Sequence, residues 1–301
     1  MLFCALNEKF NHKVSHLTSK CFNEPQQNME FFMNNKPQGS ACYGGFINNK
    51  LITVLHTLPY ILRLNNKSFS ASYVYCACTD KNYQNKGHMT KLLRYTKKSE
   101  FLKGHDFLIL VPENKQLQEF YKKSGFENFF KSKIVSLSND EIKQMLKNCT
   151  EEHHEIKSIK KIYNYMEKLH IKVYNRINSI KSTRSTIKYA SKMYELYGGK
   201  TICNYHGYAI CTPEDGGILK IRDFTAKPKH ALRLISKIYS EFSNYNCYQF
   251  IMPPVCNLFK KSGTIENSGM MLPLSKRAKK IAKQLKSNTT INYPYFGLPL
   301  D

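Results

Sequence analysis

The strand-like run Tyr73-Val74-Tyr75-Cys76-Ala77-Cys78-Thr79 leads into Gln84-Asn85-Lys86-Gly87-His88-Met89. Asn114, Leu117, Phe120-Tyr121 and Gly125-Phe126 follow it, and this stretch decides how the rest of the chain is read. Alternating small and aromatic residues over 67–79 predict a strand. Met89, Leu92, Leu93 and Thr96 share one face at helical spacing, which predicts a helix over 88–103. His105–Pro112 contains a continuous apolar run and reads as a buried strand. Asn114 to Ser124 reads as a helix stopped by Gly125, and a strand follows over 126–137. The loop 84–87 therefore opens a helix. Backbone N–H groups at a helix N-terminus, with the helix dipole behind them, bind anions. Glycine at such a point lets the backbone approach a phosphate.

Working outward, residues 8–20 and 26–35 read as helices, and 39–47, 50–63 and 67–79 as strands. Asn48-Asn49 and Asn65-Asn66 supply the hairpin turns, since Asn tolerates positive φ. Residues 138–181 carry no Pro or Gly and read as a charged helical connector. Its basic residues Lys157, Lys160, Lys161, Lys168 and Lys172 read as a solvated face rather than a binding patch. The order then repeats more faintly: helix 182–199, strands 200–205, 207–212 and 217–225, helix 228–243, and strands 246–252 and 268–274. The expected division is a first domain over 1–137, the connector over 138–181, a second domain over 182–275, and a terminal helix with a docking tail over 276–301. The fold class is α/β with a mixed sheet, in two halves of related order.

Composition narrows the function classes. The 301 residues are 42% hydrophobic and carry 46 Lys+Arg against 22 Asp+Glu, a formal charge of +24. That suits anionic partners. The excess divides as about +10 over 1–150 and +14 over 151–301, so no single site accounts for it. Nucleic acid is thus the less favoured partner. No run approaches the ~20 apolar residues of a membrane span, and the start lacks the layout of a signal peptide, so a cytoplasmic protein is expected. Ten scattered cysteines include no CxxC pair, so no metal is expected. Cys76 and Cys78 read as small strand residues rather than nucleophiles.

These motifs resemble the GCN5-related N-acetyltransferase (GNAT) superfamily. Its acyl-CoA loop pattern, Gln/Arg-x-x-Gly-x-Gly/Ala, is matched at Gln84 and Gly87 and departs at Met89. Its later pattern, Asn-x-x-Ala-x-x-Leu-Tyr-x-x-x-Gly-Phe, is matched from Asn114 to Phe126 with Leu117 for Ala and Phe120 for Leu. Tyr-x-Tyr before the loop, Lys-Gly-x-Met within it and the faint second half are similar to the bacterial tandem subgroup that includes the Eis acetyltransferases. The resemblance implies a GNAT fold with a second, degenerate GNAT-like domain. It implies acetyl-CoA as co-substrate and direct attack by a primary amine of a small molecule or peptide. Pantetheine would lie between strands 72–79 and 106–111, with backbone groups near Cys76, Ala77 and Cys78 at the thioester. Gln84, Asn85, Lys86, Gly87, His88, Met89 and Thr90 would hold the pyrophosphate. Asn114 would bind pantetheine or fix its loop, and Tyr121 would protonate the leaving thiolate.

The general base is open among His56, Asp80, His88, Glu113 and the carboxylate of Asp301, which Eis-like proteins would bring to the first domain. The apolar stretch 293–301 is expected to dock and carry Asp301 toward Tyr121. Lys227-Pro228-Lys229-His230 stands where the second half would need its phosphate loop, so that half is expected not to bind CoA. It is expected to complete the substrate cleft or anchor the tail. The alternatives are an aminoacyltransferase of the Fem type acting on charged tRNA, and an acyl-CoA sensor without activity.

Overall fold

In the computed structural model the chain is described over residues 1–147, 149, 159–287 and 293–298. Asp301 and Lys157 lie outside the described residues, as does the side chain of Lys160. The first half runs β1 (Leu2–Leu6), α1 (Asn11–Phe22), α2 (Gln26–Asn35), β2 (Ala41–Ile47), β3 (Lys50–Leu64), β4 (Lys67–Thr79), α3 (His88–Leu102), β5 (Phe107–Leu110), α4 (Lys115–Lys123) and β6 (Glu127–Ser138). The linking segment holds α5 (Asn139–Leu146) and α6 (Ile159–Tyr174), then a short strand, β7 (Ser179–Lys181), where helix was expected. β7 forms because residues 179–181 find a partner in Ile61–Arg63 of β3. The second half runs α7 (Arg184–Leu196), β8 (Lys200–Asn204), β9 (Gly207–Glu214), β10 (Ile218–Ala226), α8 (Ala231–Glu241), β11 (Cys247–Met252), β12 (Thr264–Pro273) and α9 (Lys276–Ser287).

The described strands make one twelve-stranded sheet, ordered β1, β2, β3, β4, β5, β12, β6, β11, β10, β9, β8, with β7 beside β3. In each half an antiparallel meander (β2-β3-β4 or β8-β9-β10) is followed by a helix and a parallel strand (β5 or β11). The halves then exchange their last strands. β12 lies between β5 and β6, pairing Met271 with Ile109 on one side and Thr264 with Ile134 on the other. β6 in turn pairs β11, Val135 against Phe250. Neither half's part of the sheet is complete without strands of the other.

One face of the first half's sheet packs under α1, α2, α6 and α7, and the other under α3 and α4. Glu100, 1% exposed on α3, accepts hydrogen bonds from Tyr43 on β2, Thr57 on β3 and Ser72 on β4. Burial pushes its carboxyl up, but the bonds from Ser72, Tyr43 and Lys103 outweigh this and hold it below the usual range. This buried carboxylate fastens α3, and so the loop before it, to three strands.

The described part of the tail, residues 293–298, packs against the body of the protein. Tyr295, Phe296 and Leu298 are buried, Lys131 N–H donates to Pro294 O at 2.9 Å and Ile180 N–H to Tyr295 O at 3.0 Å. Phe296 packs on Tyr60, Tyr73 and Phe130. Gly269 permits this crossing, because a Cβ there would stand 3.1 Å from Phe296 and 3.2 Å from Leu110 O.

Candidate functional site

β4 and β5 pair only over Ala71↔Phe107, Ser72↔Leu108 and Tyr73↔Ile109. Beyond Tyr73, β4 pairs with β3 alone among the described strands. The register slips opposite Val54 and His56, where Cys76 takes φ +48°. A bulge of this kind bends the strand and re-aims its backbone. The result is a wedge between β4 and β5 whose β4 wall is Val74–Cys78.

Asn85 (φ +61°) and Gly87 (φ +72°) are both left-handed, which turns the chain sharply into α3. Gly87 is the N-cap, so no side chain caps α3, unlike α4, α5 and α7, which are capped by Asn114, Ser138 and Thr183. Helix geometry leaves the first-turn N–H groups of His88, Met89 and Thr90 without helical acceptors. A Cβ on Gly87 would meet nothing within 4 Å, so the positive φ, not crowding, calls for glycine.

The structure divides the expected loop residues into scaffold and open backbone. Gln84 Nε2 donates to Thr79 O at 3.0 Å, and Lys86 Nζ donates to Asn82 O at 3.1 Å while lying over the Tyr83 ring. Gln84 ties the loop to the end of β4, and Lys86 ties it to the turn that follows. Asn114 caps α4, accepting from Leu117 N–H at 2.9 Å, which fixes the loop after β5. Ala77, Met89, Leu117 and Phe120 pack against the buried cluster that holds Tyr121. Strand wall, the start of α3 and α4 thus converge at the wedge. Tyr121 is 8% exposed, sits edge-on to Phe120 and Phe126, and is pushed by burial up to about 12.

Several other candidates are placed in ways that decide their roles. Burial pushes the Cys76 thiol up to about 12, and a bond to Cys21 with burial pushes Cys78 up as well, so both stay neutral thiols. Burial drives His56 down to about 3, and its ring lies against Phe32 and Cys42, which makes it a poor base. Asp80 is ion-paired to Lys50 at 2.9 Å and accepts from Asn82 N–H. His88 is lowered by burial and by Lys91 and Lys86. Glu113 is exposed. Among the described residues no group of three or more His, Cys, Asp or Glu could hold a metal, and no helix is long and apolar enough to cross a membrane.

Sequence reasoning missed a cleft of about 230 Å³ on the other side of the bulge. Tyr75 lines it from the first half; Met193, Tyr194, Tyr197, Thr212, Glu214 and Arg222 line it from the second. Glu214 is bonded to Arg222 at 2.7 Å. Glu24, in the turn between α1 and α2, is hydrogen-bonded to Asn28 and Tyr197 at this cleft. The only sequence signal was Tyr75 in Tyr-x-Tyr; its partners come from residues more than a hundred positions away.

Comparison with known proteins agrees with this geometry. Residues 4–129 match the family model of an acetyltransferase (GNAT) domain. No curated protein matches the sequence significantly. A probable N-acyltransferase from Enterococcus faecalis superposes with a TM-score of 0.73 at 12% identity, covering 92% of this chain and 73% of that one. Eis1 from Mycobacterium abscessus gives 0.63 at 10% identity over 91% and 74%. A tandem GNAT protein from the clavulanic acid biosynthesis pathway gives 0.53 at 8% identity over 91% and 98%. At such identities these likenesses speak for the fold. The chain thus has a mixed α/β fold shared with these structures. Its first half carries the match to the acetyltransferase (GNAT) domain, over residues 4–129.

Proposed function

We propose that this protein transfers an acetyl group from acetyl-CoA to a primary amine by direct attack. The observation that carries the proposal is the wedge opened by the Cys76 bulge, with the uncapped start of α3 at one end and Tyr121 beside it. The edge of β4 past Tyr73 can pair with pantetheine amides as a strand would. The N–H groups of Ala77 and Cys78 serve as donors to the thioester oxygen, where charge develops during attack. The backbone from Gln84 to Thr90 holds the pyrophosphate.

Tyr121 acts as the acid. A thiolate of ordinary basicity, near ~8.5, takes a proton from a phenol at about 12 only as the S–C bond breaks. The acid therefore stays loaded throughout the neutral range. The amine enters from the cleft at Tyr75, on the opposite side of β4. Glu214 is engaged by Arg222, so Glu24 with Tyr75 and Tyr197 forms the cation-accepting corner. A small primary amine carrying one ammonium group fits this balance better than a highly charged polycation. Asp301 remains a proposed contributor of the general base.

Thiol release from acetyl-CoA, measured over a panel of simple amines, polyamines, aminoglycosides and peptides, tests the reading. Turnover with one amine class supports it. CoA binding without turnover favours the sensor, and aminoacyl transfer from charged tRNA favours the Fem-type alternative.

A further inference from the structure

We infer that the second half carries a binding site for a small phosphate-bearing anion, in the groove between α6, the β8–β9 turn and the end of β10. This rests on neither the CoA loop nor the acetyl-transfer reading. The groove encloses about 230 Å³ and is lined by Tyr165, Lys168, Leu169, Lys172, Tyr205, His206, Lys227 and His230. Five of these are cationic or can become so, and none is acidic. Lys168 and Lys172 stand one helical turn apart on α6, and Lys227 follows β10 directly. None of these three lysines makes an ion pair among the described residues. The ring of His206 lies 4.9 Å from that of His230, and Tyr165 OH donates to Tyr205 O at 3.0 Å, bracing one wall.

The first half contains the equivalent groove, and the contrast is what points to a ligand. There α1 packs over β3 and β4 as α6 packs over β9 and β10. His12, Lys13, His16, Lys20 and Lys50 line it, with Asp80 directly after β4. Lys50 and Asp80 pair at 2.9 Å. In the second half the position after the strand is Lys227 instead of an acid. Lys172 beside Lys227 depresses its ammonium, and burial with Lys229 and Arg233 depresses His230. A concave wall lined by three lysines and two histidines and, among the described residues, by no acid is complementary to an anion. The groove admits a phosphate or diphosphate with a small organic body, not a helix or a duplex. Lys168 and Lys172, expected to belong to a solvated face, thus contribute to a site.

Pyrophosphate and inorganic phosphate are titrated calorimetrically into the 301-residue chain and into groove variants that leave the first-half loop intact, so that the difference between them reports the groove alone. Saturable one-to-one binding is expected. It should weaken about tenfold or more in Lys227→Asp, which installs the first half's charge. Circular dichroism and thermal midpoint should stay unchanged. Lys168→Ala with Lys172→Ala should weaken binding likewise. No saturable binding, or equal binding by wild type and both variants, overturns the proposal. Single-stranded RNA that binds more tightly than pyrophosphate at matched ionic strength, and is weakened by the same variants, also overturns it in favour of a nucleic-acid surface.

Discussion

The two halves share an order of strands yet treat the space between their parallel strands differently. In the first, pairing of β4 with β5 ends at Tyr73 and the wedge beyond stays available to a ligand. In the second, pairing of β10 with β11 ends at Ile221, again beside a register shift, but protein fills the gap. Tyr174 OH donates to Phe224 O on β10 at 2.9 Å, and Tyr295 OH donates to Ile251 O on β11 at 3.2 Å. The hydroxyls take the carbonyls that a ligand would otherwise meet. The helix starts differ in the same sense. α3 begins bare at Gly87, whereas a 3-10 turn over Pro228–His230 uses the His230 and Ala231 N–H groups internally, on Lys227 O and Pro228 O. Between β11 and β12 there is no helix to carry a counterpart of Tyr121. One topology therefore gives either an open wedge or a plugged joint, according to a handful of side chains.

The comparison breaks most readily at Tyr121. Tyr121→Phe should lower kcat by about 10²–10³-fold with KM for acetyl-CoA changed little, because only proton delivery is lost. An unchanged kcat would leave the first wedge without its acid. The second half is probed by Asp223, fully buried beneath Tyr208 and Thr225 and pushed by burial up to about 6. A carboxyl raised on folding binds its proton more tightly in the native state. Stability should therefore fall as pH rises from about 4 to about 6, by about 3 kcal/mol at most, then level off. Urea unfolding across that range checks this, and Asp223→Asn should flatten the slope. Gly87→Ala should cost about 1–2 kcal/mol of CoA affinity, because alanine lets the free loop relax away from φ +72° and binding must restore that turn, with no effect expected from clash. Equal CoA affinity would mean that the α3 start is not the anion site. Smallest is Tyr295→Phe, which should cost about 1 kcal/mol in unfolding free energy and leave acetyl transfer intact. A large loss of transfer would show that the plug and the wedge communicate.

Much of this was legible along the chain. Alternation over 67–79, the apolar face of 88–103 and the stop at Gly125 are local signals, and the observed elements follow them within a few residues. Asn114 was readable as a helix start, and its capping bond bears that out. The tail is apolar in sequence, and Tyr295 and Phe296 within it are buried. Less legible were features made by distant partners. β7 exists only because β3 offers an edge, and β12 leaves its own half to sit beside β5.

The sequence by itself determined which segments are strands and helices, and which loop can bare its N–H groups to an anion. Periodicity, glycine and capping chemistry act over a few residues and need no partner. Only the tertiary structure decided that the terminal strands change places, that the Cys76 bulge opens one wedge while two tyrosines close the other, and that Lys227 faces Lys172 across a groove. Those outcomes depend on which side chains meet across more than a hundred residues of chain. Burial and charge act through such meetings, and local pattern carries no record of them.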